Sequence, residues 1–389
     1  MTRPDLLLAR IATSAIFFGN GFGIGTWAAQ LPRFKAELEL SDGQLSLALL
    51  AFSLGAVAIM PIVGWVAAAI GSRTTALTAA FAFAPALLLP GLAPNLALFI
   101  AASLLAGACN GTMDIAMNTN ATVVEKTWGE PIMSSFHAFF SLGGLAGAAA
   151  SGLLIAGGFD IFSTLLLSCT AMGLVFLIAA LWMIEETEKA AGGHVFVRPS
   201  GAVTILATLA MLCFLVEGAV VDWSAIYLQT VTGASLQAAV TGFATFSLAM
   251  TICRFMGDFA VRHLGRVRTV QIGGFLAASG LTLAMLLPQP LSATIGFALV
   301  GIGLANTVPV LFSTAGQIEG IPPSVGVAMV ATLGYGGFLL GPPLIGFGGD
   351  IISLRAMLGL LVVFALSIII LSQRALRPST VQFCQARPN

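Results

Sequence analysis

Four ionisable side chains stand inside long apolar stretches of the chain: Asp114, His137, Glu217 and Asp222. A charge at the centre of a bilayer costs about 2.5–3.5 kcal/mol on insertion scales, so a group kept there is a functional candidate by default. The chemistry open to these four is uptake and release of a proton. Asp114 has Asn110 and Asn118 four residues to either side, which puts all three on one helical face. Such a polar stripe turns toward the bundle interior or water, away from lipid. His137 is expected at a similar depth on the next stretch. An Asp–His pair would favour the charged form of both partners while burial would favour the neutral forms, a balance suited to proton exchange. The alternative is a hydrogen bond that only packs two helices.

Glu217 falls roughly 22 Å into its stretch at 1.5 Å per residue, just past the midplane, with Gly218 and Ala219 leaving room beside it. Asp222 lies nearer the outer rim, next to Trp223. Asn20, Asn110, Asn118 and Asn306 supply neutral groups that could hydrogen-bond a solute. Trp27, Trp223 and Tyr335 could stack on the apolar face of a sugar, although tryptophans near span ends also fit an interfacial belt. No Arg or Lys is expected in mid-span, which favours a neutral polar solute over an anion. The glycines at 19, 21, 23 and 25 read as helix-packing residues.

Groups placed this way need a bundle of membrane helices to hold them. Of 389 residues, 8% are charged and 58% hydrophobic, against roughly 25% and 45–50% in soluble domains. That composition excludes an ordinary soluble fold, and disorder with it. Lys+Arg and Asp+Glu both number 16, so nothing suggests a nucleic-acid partner. The five cysteines lie singly and imply neither a disulfide framework nor a metal site.

A helix needs about 20 apolar residues to cross the hydrocarbon. Cutting at charge, proline and polar clusters leaves twelve runs, six on each side of the polar stretch Glu185 to Ser200. The runs are continuous, unlike the alternating segments of a barrel. The first, Ile11 to Leu31, is too long for a signal-peptide core and is expected to be retained. With both ends cytoplasmic, only Arg33, Lys35 and Arg355 among the 16 Lys and Arg face outward, a strong positive-inside bias. The expectation is an all-α membrane protein of twelve transmembrane helices in two six-helix pseudo-repeats. It would comprise a bundle over 1–184, a cytoplasmic linker over 185–200, a second bundle over 201–375 and a cytoplasmic tail over 376–389.

The halves repeat at a nearly constant shift. Thr26-Trp27-Ala28-Ala29 returns as Asp222-Trp223-Ser224-Ala225, and Phe52-Ser53-Leu54 as Phe246-Ser247-Leu248. Gly107 and Asn110 return as Gly303 and Asn306, and Ser141-Leu142-Gly143 as Thr332-Leu333-Gly334. Each match links span n to span n+6. Parallel repeats of this kind share an interface that can open to either side by rocking.

On these grounds the chain resembles the major facilitator superfamily over essentially its whole length. The family's loop between spans 2 and 3 is matched at Gly64, Gly71 and Arg73, with Ala68 and Ala69 where the family has Asp-Arg. A fuller version follows span 8 in Arg254, Gly257, Asp258, Arg262, Gly265 and Arg266. The resemblance implies that Arg73, Arg254, Asp258, Arg262 and Arg266 belong to a cytoplasmic gate. Arg254 and Asp258 are i,i+4 partners whose long side chains can reach the interface. The phrases around Glu217–Ala225, Ser135–Gly144 and Gly334–Pro343 look like a bacterial inner-membrane branch allied to fucose-permease-type sugar:proton symporters.

What the resemblance implies is a proton-coupled uptake carrier for a sugar-like solute in the inner membrane, monomeric and without cofactor. The alternative is proton-antiport efflux of a drug or metabolite, whose pocket the abundant Phe and Met could line. No P-loop, HExxH or GxSxG appears, so an enzyme is not expected.

Overall fold

The computed structural model describes residues 3–40, 42–185, 201–239 and 241–376. The chain divides into two compact units, Met1–Val195 and Phe196–Asn389. The expected linker lies, after Glu185, outside the described residues, as does the expected tail after Leu376. Among the described residues every regular element is helical. Unit 1 holds α1 (Arg3–Glu37), α2 (Asp42–Ile70), α3 (Ser72–Ala86), a 3-10 turn at Leu89–Leu92, α4 (Leu96–Trp128), α5 (Met133–Ala156) and α6 (Ile161–Ala180). Unit 2 holds α7 (Gly201–Thr230), the short α8 (Leu236–Ala239), α9 (Thr241–Leu286), α10 (Pro290–Leu304), α11 (Thr307–Ala315), α12 (Pro323–Ile351) and α13 (Leu354–Ala375).

Backbone groups find no water in hydrocarbon, so a spanning segment satisfies its own hydrogen bonds as a helix. Among the described residues, eleven helices are long and apolar enough to cross. One of them, α9, has 46 residues, about 69 Å at 1.5 Å per residue and more than twice the hydrocarbon thickness. Gly265, at φ 79 and ψ 161, interrupts it. The two arms are the expected spans 8 and 9, which brings the crossings to the twelve of the sequence reading. Span 10 is divided as well, because α10 ends at Leu304 and α11 begins at Thr307.

The duplication reappears as duplicated contacts. Gly71 (φ 94) opens α3 and its carbonyl accepts the Thr75 hydroxyl at 2.8 Å. Gly265, 194 residues on, accepts the Thr269 hydroxyl at 2.9 Å. Both turns need a left-handed backbone that glycine adopts without steric cost. In α4, Gly107 rests on the Phe52 carbonyl of α2; in α10, Gly301 rests on the Phe246 carbonyl of α9. That spacing of 194 corrects the expected match of Gly107 with Gly303, which packs instead on Gly273.

Trp27 also departs from expectation. It is 5% exposed, with its ring centroid 5.5 Å from that of Phe34, 5.6 Å from Phe52 and 6.0 Å from Phe99. It is neither a belt residue nor open to a solute, because α1 runs on to Glu37 and places Trp27 well before the helix end. Trp27→Ala is expected to destabilise the protein by about 3–5 kcal/mol, as for other buried aromatic truncations. Thermal unfolding of the purified variant in detergent checks this; an unchanged midpoint would contradict the core assignment.

Candidate functional site

In unit 1 the polar stripe on α4 reaches two different helices. Asn110 Oδ1 accepts from Asn20 Nδ2 of α1 at 2.9 Å. One turn beyond Asp114, Asn118 Nδ2 donates to the Asp114 carboxylate at 3.1 Å and to its backbone carbonyl at 2.9 Å. Asn118 Oδ1 lies 3.1 Å from His137 Nε2 of α5. The expected Asp–His pair is therefore a three-membered chain with Asn118 between. Because Asn118 spends its amide protons on Asp114, its oxygen is the acceptor toward an Nε2–H of His137. Asp114, Asn118 and His137 are all buried. The His137 ring meets Phe17 edge-on at 5.4 Å.

A second network, unmarked by the sequence reading, starts two residues further along α4, at Asn120. Asn120 accepts from the Thr13 hydroxyl at 2.9 Å and donates to Ser72 at 3.2 Å and to the Ile184 carbonyl at 2.9 Å. It ties α1, α3 and the end of unit 1 to α4. Close by, Glu125 accepts the backbone N–H groups of Ile132 and Met133 at 2.9 and 2.8 Å, closing the α4–α5 connection. The available signal was the recurrence of asparagine along an otherwise apolar helix. Arg73 of the expected gate donates to Glu185 at 3.1 Å and to the Ala180 carbonyl at 2.9 Å, so it fastens α3 to the end of α6.

In unit 2 the centre of charge is a pair. Arg254 Nη2 of α9 lies 3.7 Å from Glu217 Oε1 of α7, and both side chains are largely buried. Arg254 Nε donates to the Ala305 carbonyl at 3.3 Å, where α10 breaks. Next to it, Asn306 Nδ2 donates to the Cys253 carbonyl at 3.2 Å. Glu217 Oε2, Asn306 Oδ1 and Trp223 Nε1 are buried without a hydrogen-bond partner among the described residues.

This placement corrects two expectations. Arg254 does not reach out to the interface: it is 8% exposed and points into the unit. The first arm of α9 continues past Asp258 and Arg262 to the Gly265 break, and that moves Arg254 inward. An arginine therefore does stand in mid-span, with its charge opposed by Glu217.

The other expected residues separate into groups. Arg266 donates to Ser313 at 2.9 Å and Gln317 at 3.1 Å, joining the second arm of α9 to the end of α11. Arg262 is exposed and Asp258 half-buried near the same break. Asp222 is exposed, and the neighbouring Trp223 ring packs against Gly346 of α12. Tyr335 is half-buried, with its ring tilted at 42° against that of Phe214 at 4.8 Å, so part of it is committed to packing.

Comparison with known proteins accords with this architecture. A family model described as Major Facilitator Superfamily matches residues 13–318. An uncharacterized MFS-type transporter of Yersinia pestis is 35% identical, the match covering 92% of this chain and 94% of the relative. The membrane protein MosC of Rhizobium meliloti is 32% identical over 93% of this chain and 89% of its own. Among solved structures, the Escherichia coli fucose:proton symporter FucP superposes with a TM-score of 0.78 at 16% identity, covering 94% of this chain and 98% of that one. The human organic anion transporter MFSD10 gives 0.76 at 16% identity, over 96% and 100%. At such identities the solved structures share the fold alone.

Proposed function

Since the chain belongs to the major facilitator superfamily and is thus a multi-pass membrane transporter of small solutes rather than an enzyme, we propose that it couples the movement of a neutral, sugar-like solute to protons by symport. The observation that carries this reading is Glu217, a carboxyl inside a span with one oxygen beside Arg254 and the other without a partner. A carboxylate open to an aqueous vestibule ionises, and one withdrawn from water is favoured as the neutral acid. Such a group can load a proton on one side and release it on the other.

Opposition of Arg254 by Glu217 leaves no uncompensated cation at this place for an anion to seek, which supports a neutral solute. The likeness to a protein titled a fucose:proton symporter points the same way. In this reading the protein works as a monomer in the bacterial inner membrane with both termini cytoplasmic. Asp114, Asn118 and His137 serve the proton in unit 1, with Asn20 and Asn110 offered to solute. In unit 2, Asp222 joins Glu217 in serving the proton, while Trp223, Asn306 and Tyr335 flank the solute path. Arg73, Asp258, Arg262 and Arg266 act at the inner gate.

The test is uptake of radiolabelled sugars and polyols into proteoliposomes with and without an inward proton gradient. Accumulation that requires the gradient supports the reading. Gradient-driven movement of amphipathic drugs in the opposite sense, with no sugar uptake, would replace it with antiport. Asp114→Asn is expected to reduce gradient-driven accumulation to the equilibrium level. Full uphill transport by this variant would remove Asp114 from the coupling set.

A further inference from the structure

Thr26 and Gln30 stand one turn apart on α1 and are fully buried, as is Ser151 of α5, while Ser168 of α6 is 3% exposed. Thr26 Oγ1, Gln30 Nε2, Ser151 Oγ and Ser168 Oγ are all buried without a hydrogen-bond partner among the described residues. The packing register brings the four together. On α5, a side-chain carbon at Gly143 would meet the Phe18 carbonyl and one at Gly147 the Phe22 carbonyl, so the next step of four sets Ser151 against Thr26. On α6, Phe176 covers Gly19 and Met172 covers Gly23, so the next step brings Ser168 level with residues 26 and 27. Gln30 follows one turn later. Its Oε1 accepts from Arg33 at 3.4 Å, and Arg33 also donates to the Phe159 carbonyl, between α5 and α6, at 3.1 Å.

A hydroxyl inside a helix ordinarily escapes this state by bonding back to the carbonyl four residues earlier. Ser103, Thr119 and Thr164 of the same unit do so, at 2.7, 2.7 and 2.8 Å. Thr26, Ser151 and Ser168 do not take that bond. Nor does the crossing itself ask for polar groups. In unit 2, Gly337 and Gly341 approach the Met211 and Leu215 carbonyls as Gly143 and Gly147 approach those of Phe18 and Phe22. The counterparts of Thr26 and Ser151 are then Ala219 and Ile345, each 1% exposed, so the repeated crossing is built there with apolar side chains. A buried polar group left unmatched is destabilising. Three hydroxyls, each able to give and to accept, and one amide nitrogen able to give suit the three or so bonds that a buried water makes.

We propose that the meeting of α1, α5 and α6 is a binding site for ordered water, held by Thr26, Gln30, Ser151 and Ser168 and peculiar to unit 1. A cation is opposed there by the Gln30 amide hydrogens, and the four groups include no carboxylate, imidazole or thiolate to hold a metal. Bound water extends the chain from Phe159 through Arg33 and Gln30 inward. It fastens α1 to both α5 and α6 beyond the reach of the glycine contacts. The inference stands apart from the proton reading of Glu217 and does not need it.

The experiment is brief X-ray hydroxyl-radical labelling of the purified full chain in water carrying heavy oxygen, which marks side chains beside bound water even where bulk water cannot reach. Met172 is the reporter, 1% exposed and one turn from Ser168 on α6. It is expected to take up the heavy oxygen in wild type, whereas the equally buried Met60 of α2 is not. Thr26→Val, which keeps the volume, and Ser168→Ala should each lose the Met172 label. Each should also lower the unfolding midpoint by about 2–4 °C, the shift that goes with roughly one net hydrogen bond in a unit of this size. Hydroxyls that are unmatched in solution give the opposite sign, since removing one then raises the midpoint. A wild-type Met172 no more labelled than Met60, a label that survives in the folded variants, or a midpoint unchanged or raised overturns the proposal. Should both variants fail to fold, the comparison of Met172 with Met60 in wild type decides it.

Discussion

Glu217→Gln is expected to abolish uphill accumulation while leaving solute exchange across the membrane. The amide keeps the shape of the side chain and cannot carry a proton across. A proton moving with a neutral solute draws about 2.3 kcal/mol from each 100 mV of membrane potential. At 1.4 kcal/mol per tenfold ratio, that supports an accumulation of about fiftyfold. The variant should fall from that level to a ratio near one. Counterflow of labelled solute against unlabelled solute should persist, since alternation of the loaded carrier needs no gradient.

A complication is stability. Breaking a buried ion pair by removing one partner costs about 3–5 kcal/mol, and Arg254 remains buried beside the new amide. Thermal unfolding of the same preparation separates the two effects. Lost accumulation with counterflow preserved is the coupling phenotype; loss of both alongside early unfolding is a folding defect. Wild-type accumulation by a folded Glu217→Gln protein would remove Glu217 from the coupling mechanism.

The parts of this molecule that were legible in the sequence are those the bilayer dictates. Twelve apolar runs became twelve crossings because hydrocarbon leaves a backbone no alternative to the helix. The stripe of Asn110, Asp114 and Asn118 was readable because helical periodicity puts them on one face, and the bond of Asn118 to Asp114 follows from it. What periodicity could not supply was the partner of each. Asn110 turns out to meet α1 and Asn118 to meet α5.

The misplacements have one cause. A charged or polar cluster marks where an apolar run ends, which is not where the helix ends. α1 continues through Arg33 to Glu37, so Trp27 is interior. The first arm of α9 continues through Asp258 and Arg262 to Gly265, so Arg254 is interior too. Helices that outrun the hydrocarbon carry their end-like residues inward, and only the tertiary fold reveals it. The repeat was visible but off by two residues at Gly107, because a motif match does not know which glycine touches which carbonyl.

Gly147→Val is expected to prevent stable folding, whereas Gly152→Val on the same helix should be nearly neutral. Without a hydrophobic difference between lipid and side chain, membrane helices associate by close backbone packing, which small residues permit. Along the contact of α1 with α5, a side-chain carbon on Gly143 would run into the Phe18 carbonyl, and one on Gly147 into the Phe22 carbonyl. Gly21 and Gly25 make the reciprocal approach to the Phe140 and Gly144 carbonyls. These obstacles are backbone atoms and cannot rotate away. Overpacking costs typically about 1–3 kcal/mol where side chains can yield, so a rigid obstacle sets the cost at or above that range. Gly152 has open space around it.

The two variants carry the same change in helix propensity and apolar area, so their difference isolates the crossing. Yield of monodisperse protein and the unfolding midpoint are the measurements, and equal behaviour of the two would refute the packing argument. The same test carries to unit 2, where Gly337 approaches the Met211 carbonyl as Gly143 approaches Phe18. Gly337→Val is expected to fail like Gly147→Val. The scaffold contacts are thus duplicated, while the residues corresponding to Asp114, Asn118 and His137 are Val308, Phe312 and Ala331. A duplicated frame carrying unduplicated polar groups leaves each half free to hold a different charge.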